Sequence, residues 1–510
     1  MSQGRARDAL PYLERAIAGR PRDPDAHYAL GLAFHESGQL DRAIAAFEAT
    51  VRFGPRHADG WNNLGSMLRA ARRISEAVAA YRKAIAVRPD DRAWSNLVYA
   101  LQYDPTVDAK RLFAEHQAFG RRFPAAPPMP RPAPDNAARR LKIGYVSADF
   151  GNHPVGFFLL PVFAHHDRAR FEVVAYSGRK RPDDVTRRLA TSADRWVETA
   201  TIDDDKLRAM IVQDRIDLLV DLSGHTRGHR LGVFARRAAP VQITWAGYVG
   251  TTGVGAIDWL LADHRHMPPG SESFAVERIH RLPRSYITWE PPTSPEPGPL
   301  PMLRDGARGP VLGSMNQLAK LSDPVVDLWS QILSDHPTAT LLLVTRGLSD
   351  PGTVAAIRAL FHARGVDPSR LDLRGFQPRD ELMRIYRDEL DLALDPFPYS
   401  GGLTTLEALW QGVPVVALGD GDRFAARHSA AHLAAMGLDT LVARDRADYR
   451  QKVSDLLADP TGLARLRADL RPRMAASVLC DGPGFTRELE AAFLAMWAAR
   501  PGAQEATPSR

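Results

Sequence analysis

The chain has 510 residues, of which 45% are hydrophobic and 25% charged, a composition typical of globular proteins and long enough for about two to four domains. Its formal charge of +6 is small for this length, and basic residues alternate with acidic ones, so we expect no nucleic-acid-binding surface. The single cysteine, Cys480, excludes a disulfide framework and a cysteine-based metal site. The most apolar stretch, 156–164, is too short to cross a bilayer, and the first residues lack the apolar core of a secretory signal, so we predict a cytoplasmic protein without a membrane partner.

The first hundred residues contain an internal repeat. Prolines, alanines and larger apolar residues recur at an interval of 34: Pro21, Pro55 and Pro89; Ala9, Ala43 and Ala77; Leu13, Phe47 and Tyr81. This period is typical of tetratricopeptide repeats, in which a small residue lets two helices cross closely, an aromatic fills the gap and a proline ends the second helix. We therefore predict an all-α region at 1–123 with about two and a half repeats; the alternative is a generic helical spacer.

The pattern changes after a proline-rich stretch at 124–140, which we interpret as a linker. Short apolar runs then alternate with amphipathic stretches, a pattern that indicates parallel strands connected by helices. We predict an α/β fold with two Rossmann-like lobes. The predicted boundaries are 141–290 for the first lobe, 291–301 for a proline-rich segment between the lobes, 302–500 for the second lobe with its closing helices, and 501–510 for a disordered tail.

Ligands of open α/β sheets bind beyond the carboxyl ends of the strands, so polar residues at those ends are the first candidates for a site. His153 follows the first predicted strand, LKIGYV. A histidine at that place can act as a general base or orient an acceptor hydroxyl, because its pKa lies near neutrality. The alternative is a structural histidine held by hydrogen bonds.

Two further loops of the first lobe are candidates for contact with a sugar or an acceptor. His225 and Thr226 follow the strand IDLLVDLS, and the glycine-rich loop after VQITWA contains Tyr248, Gly250 and Thr251. Glycine-rich loops between a strand and a helix let backbone N–H groups approach a sugar or a phosphate, although many ordinary turns look alike.

In the second lobe, Gln317 and Lys320 lie between a predicted strand and a predicted helix. Lys320 is one of only seven lysines in a chain whose basic residues are mostly arginine. Its ammonium group can neutralise charge that develops on a leaving diphosphate. The alternative is a surface lysine at the start of a helix.

The stretch LDPFPYSGGLTTLEALWQGVPVV, 394–416, is the most specific. A strand ends in a tight glycine loop, and Thr404 and Thr405 then open a helix whose N–H groups and dipole favour a phosphate. Glu407 follows at a distance suited to accept hydrogen bonds from ribose hydroxyls. An ordinary strand-turn-helix connection is the alternative.

The acidic cluster at 203–205 precedes an amphipathic stretch, so we interpret it as a helix cap. No histidine or cysteine spacing of the kind that binds zinc appears, and we predict no metal.

Four motifs in this order resemble the O-linked N-acetylglucosamine transferases, a family that includes the Spindly-type O-fucosyltransferases and bacterial glucosyl-transferring relatives. They are GYVSADFGNHPVG, DLSGHTRGHRLGVFARRAAPVQITWAGYVGTTG, NQLAKLSDP and LDPFPYSGGLTTLEALWQGVPVV. The resemblance implies a GT-B fold and an inverting, metal-independent transfer of N-acetylglucosamine from UDP-N-acetylglucosamine to Ser or Thr of a protein. It implies no cofactor, since the UDP-sugar is a co-substrate.

The resemblance also implies roles for single residues. His153 matches the active-site histidine, and Lys320 matches the lysine on the donor diphosphate. The other matching positions are Gln317 beside the diphosphate, Thr404 and Thr405 on the phosphates, Glu407 on the ribose, Gln377, Pro378 and Arg379 at the base, and Asn63 and Asn96 in the repeats, where the family grips the acceptor backbone.

The chain departs from the family pattern at Leu382 and Leu403, which lie among the donor-binding positions, and at Val249 and Ala319. These departures leave the donor open, with GDP-fucose or UDP-glucose as alternatives. A degenerate transferase that acts as a repeat-based adaptor is the third hypothesis. The expected partners are a nucleotide-sugar donor and a protein acceptor docked partly through the repeats, and the uncapped array suggests a face for homo-oligomerisation.

Overall fold

The computed structural model describes residues 3–126, 129, 139–304 and 308–500. Most of the predicted linker at 124–140 and all of the predicted disordered tail at 501–510 lie outside the described residues. The chain divides into two compact units. The first comprises 1–108 and 293–472, and the second comprises 109–292 and the described residues from 473 onward.

The helices and strands are numbered in chain order. The helices are α1 (Gln3–Gly19), α2 (Pro24–Glu36), α3 (Leu40–Phe53), α4 (Ala58–Ala70), α5 (Ile74–Val87), α6 (Asp91–Leu101), α7 (Ala109–Gly120), α8 (Pro154–His165), α9 (Asp184–Ser192), α10 (Asp204–Gln213), α11 (Leu231–Ala235), α12 (Pro301–Arg304), α13 (Asp323–Asp335), α14 (Pro351–His362), α15 (Arg379–Glu389), α16 (Leu403–Trp410), α17 (His428–Ala435), α18 (Arg446–Ala458), α19 (Pro460–Ala475) and α20 (Gly482–Ala498). The strands are β1 (Leu141–Ser147), β2 (Phe171–Ser177), β3 (Arg195–Glu198), β4 (Leu218–Asp221), β5 (Val241–Thr244), β6 (Trp259–Asp263), β7 (Arg278–Leu282), β8 (Val311–Ser314), β9 (Thr340–Val344), β10 (Leu371–Arg374), β11 (Leu392–Leu394), β12 (Val415–Leu418) and β13 (Val442–Ala443).

The array of α1 to α6 in the first unit confirms the predicted repeats. Helices α2 and α3 form one pair, and α4 and α5 form the next. The aromatic of each second helix packs on a glycine of the first: a Cβ added to Gly31 would lie 2.7 Å from the ring of Phe47, and one added to Gly65 would lie 2.8 Å from that of Tyr81. Any larger residue at these glycines would force the paired helices apart.

The helix α7 differs from the predicted boundary of the repeat region at residue 123, because it belongs to the second unit. Gly120 at its end lies so close to Gly253 that a Cβ on Gly120 would overlap the carbonyl oxygen of Gly253. His116 on the same helix contacts the hydroxyl of Tyr248 at 2.8 Å. These tertiary contacts determine where α7 packs. They cannot be predicted from the helical periodicity of its sequence.

Both units contain a parallel sheet with the strand order of a Rossmann fold. The sheet of the second unit has seven strands in the order β3-β2-β1-β4-β5-β6-β7, and that of the first has six in the order β10-β9-β8-β11-β12-β13. The strand order reverses between β1 and β4 in one sheet and between β8 and β11 in the other. Loops that leave two such neighbouring strands diverge and open a crevice, so each sheet has one favoured ligand position.

The helix α20 also differs from the predicted boundaries, which assign it to the lobe at 302–500. It lies in the second unit and packs on α8. Glu490 of α20 accepts hydrogen bonds from the Nδ1 of His166 at 2.9 Å and from the backbone N–H of Asp167 at 2.7 Å. The other ring nitrogen of His166 then accepts a hydrogen bond from the hydroxyl of Tyr145, 2.8 Å away.

Among the described residues, no helix is both long enough and apolar enough to cross a membrane.

We expect the buried Glu490 network to stabilise the second unit. Glu490→Ala leaves the His166 ring and the Asp167 N–H without their acceptor, which costs about 2–4 kcal/mol. Scanning calorimetry of the full chain should show a transition at lower temperature. Arg487→Ala, on the exposed face of the same helix, is the matched control and should change little. Equal transition temperatures for the two variants would contradict this role of Glu490.

Candidate active site

In the first unit, Lys320 lies beyond the carboxyl end of β8, on a short 3-10 turn at Leu318–Lys320. Its ammonium donates hydrogen bonds to the side-chain oxygen of Asn316 at 3.0 Å and to the carbonyl oxygen of Ser400 at 2.7 Å. Ser400 belongs to the loop that follows β11, the strand next to β8. Lys320 therefore links the two loops that leave the sheet where its strand order reverses.

Two groups of opposite charge lie in this crevice, the partly buried Lys320 and the buried Asp395. Burial lowers the pKa of Lys320, while the nearby carboxylate of Asp395 opposes that shift. Burial raises the pKa of Asp395, whose Oδ1 accepts a hydrogen bond from the N–H of Gly401 at 2.7 Å. An incoming anion would favour the protonated Lys320, because opposite charges stabilise each other in a desolvated site.

The start of α16 meets Lys320 at the side chain of Asn316. The hydroxyl of Thr404 donates to the same Asn316 oxygen at 3.1 Å. The residue at the N-cap of α16 is Gly402, which has no side chain with which to cap the helix. The positive end of the helix dipole and the Lys320 ammonium therefore converge on one small region, which suits a phosphate.

Thr405, the next residue, is held by a different set of contacts. Its hydroxyl lies 2.7 Å from the hydroxyl of Ser429, which in turn donates to the carbonyl of Gly401 at 2.9 Å. The side chain of Thr405 is buried. Thr405 therefore contacts the glycine loop through Ser429. Thr404 shares the Asn316 oxygen with Lys320.

The predicted ribose acid, Glu407, is buried and paired. The guanidinium of Arg379 donates to its Oε1 at 3.0 Å. Burial raises the pKa of Glu407, and Arg379 opposes the shift. The structure thus joins two residues predicted separately, one at the base and one at the ribose, into a single ion pair between α15 and α16. Gln377 and Pro378 lie directly before α15 and are at least partly accessible.

In the second unit, His153 caps the start of α8. Its Nδ1 accepts a hydrogen bond from the N–H of Val155 at 3.3 Å, and its Nε2 lies 3.9 Å from a carboxylate oxygen of Asp149. Burial lowers the pKa of His153, while Asp149 raises it and Arg179 lowers it further. The ring is therefore neutral near pH 7 and can accept a proton.

The loops around His225 are more buried than the sequence suggests. His225 lies 2.8 Å from the carbonyl oxygen of Thr252, and its ring packs against those of His116 and Tyr248. Burial lowers the pKa of His116 to about 4 and that of His225 well below its usual value. Both histidines are buried, and their rings pack against each other.

The glycine-rich loop 247–253 owes most of its composition to close packing. A Cβ on Gly247 would overlap the carbonyl of Leu222, and one on Gly253 would overlap that of His116. Thr251 is buried and donates to a carboxylate oxygen of Glu277 at 2.5 Å. Gly250, with φ 142 and open space where a Cβ would lie, is the position at which a ligand could approach the backbone.

Thr226 is the other partly accessible residue among the five candidates in these loops. Its hydroxyl donates to the carbonyl of Ser223 at 2.8 Å, within its own turn.

The two predicted asparagines of the array, Asn63 and Asn96, belong to a chain of side-chain hydrogen bonds that also includes Asn62. Asn96 donates to Asn62 at 2.8 Å, Asn62 donates to Asn63 at 3.3 Å, and Asn63 donates to the hydroxyl of Tyr28 at 3.0 Å. Asn63 and Asn96 are partly accessible. Amides held in such a row are preorganised to meet a peptide backbone.

The sequence does not single out Tyr399, whose ring lies beneath Lys320, or Ser429, which holds Thr405. Both are distant in sequence from their partners, and no spacing rule connects them. Asn316 carries a weak signal, because it stands four residues before the rare Lys320 and shares a turn with it.

Within the described residues, no group of three or more His, Cys, Asp or Glu side chains could hold a metal ion. The acidic cluster at 203–205 acts as predicted at a helix start, since the carboxylate of Asp203 accepts from the N–H of Lys206 at 2.8 Å.

Comparison with known proteins identifies two family models in the chain. The model of glycosyl transferase family 41 matches residues 128–289 and 307–489. A tetratricopeptide repeat model matches 1–58 and 36–93.

Similar proteins include a Solanum lycopersicum protein named probable UDP-N-acetylglucosamine-peptide N-acetylglucosaminyltransferase SPINDLY, 36% identical over 423 residues, which are 81% of this chain and 45% of that protein. The UDP-N-acetylglucosamine-peptide N-acetylglucosaminyltransferase of Caenorhabditis elegans is 24% identical over 475 residues, 70% of this chain and 41% of that one. The chain thus spans less than half the length of these curated relatives. A solved structure, a lysine-to-methionine mutant of the O-GlcNAc transferase from Thermobaculum terrenum, matches with a TM-score of 0.90 and 38% identity over 98% of this chain and 95% of that one.

We expect Arg379→Ala to destabilise the first unit in a pH-dependent way. The variant leaves Glu407 buried without its cation, which costs about 3 kcal/mol when the carboxyl is charged. The folded-state pKa of Glu407 lies above its unfolded value, so the folded variant binds the proton more tightly and its stability falls as pH rises. Thermal unfolding should therefore show a larger loss at pH 8 than at pH 5.

The matched control is Arg384→Ala on the same helix, which removes an exposed pair with Glu381 and should cost at most about 1 kcal/mol at either pH. A loss for Arg379→Ala that is equal at both pH values would contradict the buried-charge explanation.

Proposed function

The chain belongs to glycosyl transferase family 41, and we propose that it transfers N-acetylglucosamine from UDP-N-acetylglucosamine to a Ser or Thr hydroxyl of a protein, with inversion and without a metal ion. The observation that carries this proposal is the convergence of Lys320 and the start of α16 on Asn316. A lysine and a helix dipole together supply the positive charge that a leaving diphosphate needs. The printed names of the SPINDLY protein and of the nematode enzyme support the same donor and a peptide acceptor.

The reaction we propose is a single displacement. The acceptor oxygen attacks the anomeric carbon from the face opposite UDP, a C–O bond forms, and the bond from that carbon to the β-phosphate oxygen breaks. The electron pair leaves with UDP, where Lys320 and the start of α16 stabilise the new charge. The acceptor proton passes to His153, whose neutral ring can take it.

The remaining site residues bind different parts of the donor and acceptor in this proposal. Thr404 contacts the phosphates directly, and Thr405 keeps the glycine loop in shape. The Arg379–Glu407 pair defines the nucleoside end of the donor site, and Gln377 and Pro378 offer backbone groups to the base. The array presents Asn63 and Asn96 to the acceptor. No cofactor is needed, because the nucleotide sugar is consumed as a substrate.

A different donor is the second candidate. Leu382 lies on α15, the helix that carries Arg379, and Leu403 is the first residue of α16; both side chains are partly accessible. Two aliphatic side chains at these positions change the shape and polarity of the region next to Glu407 and Thr404. GDP-fucose and UDP-glucose therefore belong in the same assay.

The discriminating experiment is a donor panel with the full chain: UDP-N-acetylglucosamine, UDP-glucose and GDP-fucose, each followed by release of the nucleotide diphosphate. The largest kcat/KM with UDP-N-acetylglucosamine supports the proposal, and a larger value with GDP-fucose overturns the donor assignment. Calorimetry with UDP and with GDP tests the adaptor hypothesis, which a chain that binds neither would favour.

We expect Lys320→Ala to lower kcat roughly 100- to 1,000-fold, because the charge on the leaving diphosphate loses its main cation. Lys320→Arg should recover part of the loss. Lys206→Ala, an exposed lysine of α10, is the matched control and should leave kcat unchanged. Near-full activity of Lys320→Ala would refute the assigned role.

We expect the fall of kcat/KM at acid pH to follow the protonation of His153. Its pKa is lowered by burial, so the neutral form persists and activity should be retained below pH 6.5, the ordinary histidine value. Asp149→Asn removes the nearby negative charge, lowers this pKa further and should move the limb about half a unit to lower pH.

His153→Asn is the sharper variant, because an amide oxygen can still cap α8 while the proton acceptor is lost. Activity should fall without loss of thermal stability, and His165→Asn at the other end of α8 should affect neither. An unchanged acid limb in Asp149→Asn would exclude His153 as the titrating base.

A further inference from the structure

Three tyrosines from two separate parts of the first unit form one cluster next to Lys320. Tyr99 and Tyr103 lie at the end of the helical array, and Tyr399 lies in the loop after β11. The ring centroids of Tyr103 and Tyr399 are 5.0 Å apart, and those of Tyr99 and Tyr103 are 5.4 Å apart in an edge-to-face arrangement. Aromatic pairs in these geometries attract each other beyond their burial.

The cluster touches Lys320 through the face of Tyr399. The ammonium nitrogen of Lys320 lies 4.3 Å from the centre of that ring. The face of an aromatic ring carries negative charge, so it stabilises the charged form of the lysine, most strongly where water is excluded. The ring also fixes the position from which the ammonium reaches Asn316 and Ser400.

A second contact leads from the array to Gln317. The hydroxyl of Tyr103 lies 2.9 Å from that of Tyr99 and 3.4 Å from the side-chain oxygen of Gln317. The Tyr103 hydroxyl is the donor toward both oxygens, and because a phenol has one proton the two acceptors share it. Tyr103 is 1% exposed, which leaves little water to compete for the bond.

Two arginines of the array act on this region. The guanidinium of Arg69 lies 5.1 Å from the ring centre of Tyr99 and 5.7 Å from that of Tyr103, within the array itself. Arg72 donates to the carbonyl of Leu321, directly after Lys320, and pairs with Asp323 at 2.9 Å. The loop that carries Lys320 is thus held from one side by β8 and from the other by the array.

We propose that Tyr99, Tyr103 and Tyr399 make the helical array a positioning element of the donor site, in which Tyr103 positions Gln317 directly and supports the Tyr399 ring that lies against Lys320. This rests on the proposed function and adds to it. The array is then a wall of the donor site as well as a docking surface for an acceptor, and its end helix contributes to the chemistry without touching the reacting atoms.

The first test is the alkaline limb of kcat/KM for the full chain. Transfer requires a protonated Lys320, so activity falls as pH rises through its pKa. Tyr399→Leu removes the ring face and should move this limb to lower pH by about half a unit to one unit. Tyr399→Phe keeps the ring and should retain the wild-type limb. A Tyr399→Leu limb at the wild-type pH overturns the assignment for Lys320.

The second test separates kcat from KM. Tyr103→Phe keeps the packed ring and removes the hydroxyl that reaches Gln317, so the KM for the donor should rise about two- to fivefold with kcat retained. Tyr176→Phe is the matched control, since its buried hydroxyl donates to Asp214 in the other unit, and it should leave the donor KM unchanged. An unchanged donor KM in Tyr103→Phe overturns the link from the array to Gln317.

Failure of this inference and failure of the proposed function give different results. A wild-type chain that neither transfers sugar nor binds UDP in calorimetry would reject the proposed function. If the wild-type chain transfers sugar and the tyrosine variants have the same pH profile and donor KM, only the positioning role is rejected.

Discussion

The site of the first unit depends on one side-chain oxygen that accepts two hydrogen bonds. Asn316 receives the ammonium of Lys320 and the hydroxyl of Thr404, and these donors come from loops more than eighty residues apart. They meet because β8 and β11 are neighbours at the point where the strand order reverses. The positive groups of the site are thus assembled by the topology of the sheet, and the side chains only complete what the strand order has already brought together.

The fold and part of this site could be predicted from the sequence, because both depend on signals that are local in the chain. The 34-residue period located the array, and the apolar runs located the strands. The glycine loop before Thr404 and a rare lysine after a strand pointed to the region where the structure brings Lys320 and Thr404 together. Each of these signals is a short motif or a fixed interval along the chain, so a single sequence is enough to detect it.

Contacts between residues distant in sequence could not be predicted from these local patterns. The glycines of the loop 247–253 looked like a ligand cradle, yet Gly247 and Gly253 are small because backbone carbonyls lie against them. His225 looked like a surface ligand, yet it is buried beside His116 of α7. The pairing of Arg379 with Glu407 and the place of Tyr399 beneath Lys320 likewise arise between residues whose separation in sequence follows no repeat.

The division of the chain has a consequence for how the protein is made. Each compact unit is assembled from two separate stretches, and the second needs α20, near the last described residues, to cover α8. On the ribosome, the sheet of the second unit therefore emerges well before the helix that completes it, with the partner of His166 still unsynthesised. A nascent chain at that stage exposes an apolar face of α8, and exposed apolar surface of this kind favours aggregation until α20 covers it.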